Sequence, residues 1–188
     1  MKETNFIPHY LIDSEVNIYL KIKENPQAAK LVMEYPPLDS FNETELIWTE
    51  GLYGLEGDFY LGQLNKEKQK HGRGYYYWAT LDQYYVGYWR WDKMDIRGSS
   101  CKKGIIRYLG EMKDDRFEGE GKKYFSNGDH YEGCFLNDKC HGKGVYFWSN
   151  GCSWDGEFSN GLLNGKGTYR VKQGQEVQIE YKDSKVVN

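Results

Sequence analysis

The chain has 188 residues, a formal net charge of −3 and 16% aromatic residues, with 17 Tyr, 6 Trp, 22 Gly and only 4 Pro. That balance fits turn-rich β structure and excludes a disordered, ring-poor chain. No apolar run approaches the roughly 18 residues that span a bilayer, and Met1-Lys-Glu-Thr-Asn opens neither a signal nor a transit peptide. The expectation is an intracellular protein, not secreted and without a transmembrane segment.

Charge divides the chain. Residues 1–59 hold 4 Lys/Arg against 11 Asp/Glu, whereas residues 60–176 hold 19 against 15, so an acidic arm precedes a mildly basic array. Cys101, Cys134, Cys140 and Cys152 form no C-x-x-C pair and no His stands at a matching interval, so reduced thiols are expected rather than a zinc site.

In the arm, residues 1–49, Val16, Ile18, Leu20 and Ile22 alternate as in a strand, while Ile12, Val16, Tyr19 and Lys23 suit a helix equally; the alternatives stay open. Asn25 can cap a helix with Pro26 at its first position, and Ala28, Leu31, Val32 and Tyr35 follow at helical spacing until Pro36-Pro37. A short helix near 26–35 is expected, needing a surface to pack on. Ser40-x-x-Glu43 has the form of a capping box before Leu46, Ile47 and Trp48.

From residue 50 to 176 one pattern recurs. Rings at Tyr60, Tyr85, Tyr108, Tyr131 and Trp154 open units of 23 residues, except the first, which runs 25. Two residues on stand Gly62, Gly87, Gly110, Gly133 and Gly156, and four on, in the best-formed units, Phe135 and Phe158. A G-x-G pair follows as Gly72/Gly74, Gly119/Gly121, Gly142/Gly144 and Gly165/Gly167; Gly128, Gly151 and Gly174 punctuate the unit ends. Gly57-Asp58-Phe59-Tyr60 mirrors Gly128-Asp129-His130-Tyr131, so a partial unit precedes the first, and Val177-x-Ile179-x-Tyr181 closes the last as a half unit before the tail at 188. A fixed period of this size marks a repeat architecture.

Within a unit, residues two apart share a strand face, which unites Tyr131, Gly133 and Phe135, and likewise Gly142, Gly144, Tyr146 and Trp148. Asn150-Gly151 predicts a tight hairpin turn with positive φ at both central residues. A ring lying across a strand needs a neighbour without a side chain, so rings and glycines are expected on one face. Two strands per unit over five units give a sheet roughly 50 Å long.

The run Tyr131-Glu-Gly133-x-Phe135, then His141-Gly142-Lys-Gly144-x-Tyr146, then Asn150-Gly151, resembles the membrane occupation and recognition nexus (MORN) repeat family over about 120 of the 188 residues. The resemblance implies a mainly β fold, an elongated single-layer antiparallel sheet of stacked hairpins, here with a partly helical arm. It also implies a scaffold or adaptor role in ciliary or other cytoskeletal assemblies or at membrane junctions. Departures cluster near 85–107: Ile96 replaces the first Gly of its pair, and Ser100 and Lys102 replace rings. Lys123 takes a ring position in the next unit, and Leu81-Asp82 replaces Asn-Gly.

Gly142-Lys-Gly144 and Gly165-Lys-Gly167 lack the full spacing and following helix of a phosphate loop. His71 and His141 share one repeat position, which points to structure rather than catalysis, and no nucleophile or metalloprotease motif occurs. No catalytic residue, metal or cofactor is expected, and nucleic-acid binding is set aside because the array carries only a small positive excess. Lys102, Lys103, Arg107, Lys122 and Lys123 could meet anionic lipid, so a peripheral membrane adaptor is the alternative function. The leading expectation is a non-enzymatic subunit of a large complex, most closely a ciliary axoneme. It would bind a helix or extended segment of other protein subunits in a groove lined by Tyr76, Trp78, Trp89, Tyr146, Trp148 and Tyr169. The acidic arm would cover part of that groove or dock on a neighbour.

Overall fold

The computed structural model describes residues 45–49, 52–54 and 57–187. The helix expected over 26–35, the element over 12–23 and the Ser40 capping box lie outside the described residues.

Two short strands, β1 (Ile47–Trp48) and β2 (Leu52–Tyr53), both pair with β3 (Phe59–Leu64). The chain then runs through β4 (Lys70–Trp78), β5 (Gln83–Arg90), β6 (Lys93–Lys102), β7 (Ile105–Lys113) and β8 (Arg116–Tyr124). It continues through β9 (His130–Leu136), β10 (Lys139–Phe147), β11 (Ser153–Ser159), β12 (Leu162–Arg170), β13 (Glu176–Lys182) and β14 (Lys185–Val186). From β3 onward each strand pairs antiparallel with the next, giving one open sheet of consecutive hairpins. At about 4.8 Å per strand this ribbon extends roughly 55 Å.

Register explains the repeat. One row across the sheet reads Tyr60, Tyr76, Tyr85, Ser100, Tyr108, Lys123, Tyr131, Tyr146, Trp154 and Tyr169. Two residues along the strands a second row reads Gly62, Gly74, Gly87, Gly98, Gly110, Gly121, Gly133, Gly144 and Gly156. The position-zero ring of each unit lies over a glycine pair of the second row. A Cβ on Gly144 would sit 2.3 Å from the Tyr131 hydroxyl, and one on Gly74 2.4 Å from that of Tyr60. Each ring ends in a hydrogen bond to the backbone three residues on: Tyr60 to Gln63 O, Tyr85 to Tyr88 O, Tyr108 to Glu111 O and Tyr131 to Cys134 O. Trp154 cannot reach that carbonyl, and its indole N–H is buried without a partner.

The turns differ from the expectation at Asn150-Gly151. Only Gly151 has positive φ there; Gly151 N–H donates to Trp148 O and Trp148 N–H to Cys152 O. This is a longer turn ending in a left-handed glycine, which Gly128 and Gly174 repeat and Asp82 imitates at φ 45°. Turns with both central residues at positive φ occur at this end only at Lys103-Gly104, and otherwise at the opposite ends of the strands, at Trp91-Asp92, Asp114-Asp115, Asn137-Asp138, Asn160-Gly161 and Asp183-Ser184. Short acidic and amide side chains tolerate that conformation best after Gly. The 25-residue first unit follows from a longer β3–β4 loop, closed by Lys68 N–H to Asn65 O.

The irregular unit keeps the ladder. Gly72, Gly119, Gly142 and Gly165 all have φ between 61° and 91°, and Ile96 adopts φ 63° at the equivalent place. A β-branched side chain there is strained.

Candidate partner-binding faces

Alternation gives the ribbon a ring face and a reverse face. The ring face buries Tyr60, Tyr85, Trp89, Tyr108, Met112, Tyr131, Phe135, Trp154 and Phe158. Position-zero rings meet position-four side chains edge-on: Tyr131 packs on Phe135 at 5.1 Å and on Phe158 of the next unit at 4.8 Å. The contact thus runs from unit to unit, as nearest-neighbour stabilisation of a repeat array requires.

Of the six residues expected to line a groove, five are half-buried on this face and one is not available. Trp89 is 2% exposed, with its indole N–H donating to Gly74 O at 3.2 Å; it belongs to the core. Tyr76 and Trp78 stand together at 4.6 Å, and Lys70 lies 4.6 Å over the Tyr76 ring. Tyr146, Trp148 and Tyr169 form a second row at 5.1 and 5.6 Å. Phe125 extends that row at 5.6 Å from Tyr146, a member the sequence reading missed because Lys123 occupies the expected ring position. Ser100 and Lys123 fall between the two patches, so the groove is not continuous.

Acidic clasps hold the rings. Tyr146 donates its hydroxyl to Asp129 at 2.7 Å, and the Ser149 N–H donates to the same carboxylate. Asp58 does likewise for Tyr76 and the Ala79 N–H. The Tyr146 hydroxyl, foremost, holds the Asp129 carboxyl below the usual carboxylate range. A second clasp, unnoticed in the sequence, recurs every 23 residues: Asp92, Asp115 and Asp138 accept from the backbone N–H of Lys70, Met94 and Phe117.

The reverse face changes character along the ribbon. In β3–β6 it buries Phe59, Tyr75, Tyr77, Tyr84, Val86 and Cys101. The expectation of rings on one face alone is corrected here. The consecutive runs Tyr75-Tyr76-Tyr77-Trp78 and Tyr84-Tyr85-Val86 place apolar groups on both parities, the pattern of strands covered on both sides. From β8 onward the reverse face is mostly polar, with Lys122 paired to Glu132, and Arg170 paired to Asp155 and Glu176, apart from one stacked row of Tyr124, His130 and Phe147.

The basic residues expected to meet lipid do not converge. Lys122 is tied to Glu132 on the reverse face, while its neighbour Lys123 lies on the ring face, 5.0 Å over the Phe117 ring. Among the described residues no group of His, Cys, Asp or Glu could hold a metal, and no helix is long and apolar enough to cross a membrane.

Residues 66–83, 108–130, 131–153 and 154–175 match the profile of the MORN repeat. This is a MORN-repeat protein. The unmatched stretch between the first two segments contains Ile96, yet its strands keep the common ladder. No curated protein matches the chain in sequence. Among solved structures it is similar to the SAS-4 (dCPAP) TCP domain in complex with a Proline Rich Motif of Ana2 (dSTIL) of Drosophila melanogaster. That similarity has 12% identity over 77% of this chain and 96% of that one, with a TM-score of 0.36, too low to bear on function. MORN repeats build a scaffold or adaptor type of chain.

Proposed function

We propose that this MORN-repeat protein is a non-enzymatic scaffold subunit of a larger assembly, binding a helix or extended segment of a partner protein along the C-terminal half of its ring face. The observation that carries this reading is the row Phe125, Tyr146, Trp148 and Tyr169: four large half-buried rings, with Tyr146 clasped by Asp129, on a face with no second layer among the described residues. A single sheet needs something to complete such a face, and rigid aromatic anchors are what partner segments use. The setting proposed is a ciliary or other cytoskeletal complex, in keeping with the MORN repeats.

The test compares chains recovered from an extract of ciliated cells by the wild-type protein, by Trp148→Ala with Tyr169→Ala, and by Lys166→Ala on the polar side as control. The expected result is a defined set of chains lost with the ring substitutions alone. Recovery of the same set by all three, or sedimentation of the protein with anionic liposomes at physiological salt, would favour the membrane reading or none.

A further inference from the structure

Charge is sorted between the two faces of the ribbon. At two-strand steps the half-buried row of the ring face reads Tyr76, Ser100, Lys123, Tyr146 and Tyr169, and it contains no carboxylate. Lys102 shares that face, because it pairs with Gln83 and Gln83 with Trp78. The strand carboxylates Glu132, Asp155 and Glu180 take the opposite parity, where they meet Lys122, Arg170 and Lys166. Asp58 and Asp129 reach the edge of the ring face, but both are engaged. Asp129 accepts from the Tyr146 hydroxyl, the Ser149 N–H and the Asn127 amide, and Asp58 from Tyr76 and the Ala79 N–H. Among the described residues neither Lys102 nor Lys123 has a carboxylate within ion-pair distance. Lys102 is exposed, and the Lys123 ammonium lies 5.0 Å over Phe117 and 5.7 Å over Phe125, rings that offer it no hydrogen-bond acceptor.

We propose that the segment bound by this face is acidic at one end and apolar at the other. Its carboxylates meet Lys102 and Lys123 over β6–β8, and its large apolar side chains meet Phe125, Tyr146, Trp148 and Tyr169 over β8–β12. This rests on the ring-face binding proposed above and adds the partner's charge and the order of its groups. Complementary charge beside aromatic anchors fixes register and excludes wrong partners; a basic segment would set like charges against each other. From β6 to β12 the span is about 29 Å, the length of about 19 residues of helix or about 9 of extended chain. An anionic membrane is the poorer fit, because lipid-binding clusters bring about four to eight basic residues to one surface, and Lys122 faces the other way.

A displayed library of random peptides of about 20 residues, selected on the full chain at physiological salt, tests the proposal. Peptides that bind the wild type should carry an excess of Asp and Glu beside an apolar block. On Lys102→Glu with Lys123→Glu that excess should become Lys and Arg. A peptide selected on the wild type, made synthetically, should bind Lys102→Gln with Lys123→Gln at least tenfold more weakly by fluorescence anisotropy, with circular dichroism confirming that the neutral variant is folded. Binders without an acidic excess, or the same excess on the charge-reversed chain, overturn the inference. So does sedimentation of the wild type, but not the neutral variant, with phosphatidylcholine–phosphatidylserine vesicles at physiological salt. If Trp148→Ala with Tyr169→Ala still selects the same peptides, the ring-face reading itself fails; ring-dependent binders of neutral charge leave that reading standing and remove only this one.

Discussion

The first two hairpins, β3–β6, and two later ones, β9–β12, share register, glycine rows and ring positions, yet only the first two bury an apolar cluster on the reverse face. Val86 at one end and Glu132 at the other occupy the same place in the ladder. The difference teaches that the ring face builds the ribbon, whereas the reverse face varies along it. The two can therefore change separately.

The comparison breaks first if the ring face is not shared. Tyr85→Ala and Tyr131→Ala each remove a fully buried ring and should cost about 3–5 kcal/mol alike, measured by denaturant unfolding. A large cost at one end only would mean that the two halves are not built the same way. Gly144→Ala should also cost about 1–3 kcal/mol, because its methyl would occupy the place of the Tyr131 ring.

Second-face truncations should separate the halves. Tyr75→Ala is expected to cost about 3 kcal/mol or more by the large-to-small rule, while Glu132→Ala, losing an exposed ion pair, should stay within about 0.5 kcal/mol. Equal costs would remove the distinction.

Ile96 sharpens the comparison at the irregular unit. Ile96→Gly relieves about 1–2 kcal/mol of left-handed strain, offset by about 0.5–1 kcal/mol of added unfolded-state freedom. A small net gain in unfolding midpoint is expected; a clear loss would show that the Ile96 side chain outweighs its backbone. Thiol labelling adds a further check. Burial raises the Cys101 thiol and pushes Cys140 up to about 11, so both should react more slowly at pH 8 than Cys134 and Cys152.

The smallest effect is acid sensitivity. Because Asp129 titrates lower when folded, the stability it lends is present above the ordinary carboxylate pKa of about 4 and is lost as pH falls through its folded value. Asp129→Asn should flatten the decline in unfolding midpoint between pH 5 and about 3.

Much of this architecture was legible in the sequence, because the constraint that sets it is local. A ring over bare backbone demands Gly at a fixed offset, and that offset repeats. Asn-Gly is the commonest hairpin signal, yet Asn150-Gly151 forms the longer turn, while Asn137-Asp138 and Asp114-Asp115 make the tight turns with a weaker sequence signature. Asp92, Asp115 and Asp138 stand at the repeat interval but were hidden among other loop carboxylates. Trp89 could not be told from an exposed ring, since burial at position four depends on the neighbouring unit. The reverse face is not marked by the glycine period; its only sequence trace is the pair of consecutive apolar runs Tyr75-Tyr76-Tyr77-Trp78 and Tyr84-Tyr85-Val86.

Hydroxyl-radical footprinting of the intact chain, resolved residue by residue, tests the central claim most directly. The account predicts strong oxidation of Trp148, Tyr146 and Tyr169, with exposed Trp91 as reference, and protection of Tyr75, Tyr77 and Tyr84. Oxidation of Tyr75 and Tyr84 at the level of Trp148, or protection of the Trp148 row in the isolated chain, would contradict it.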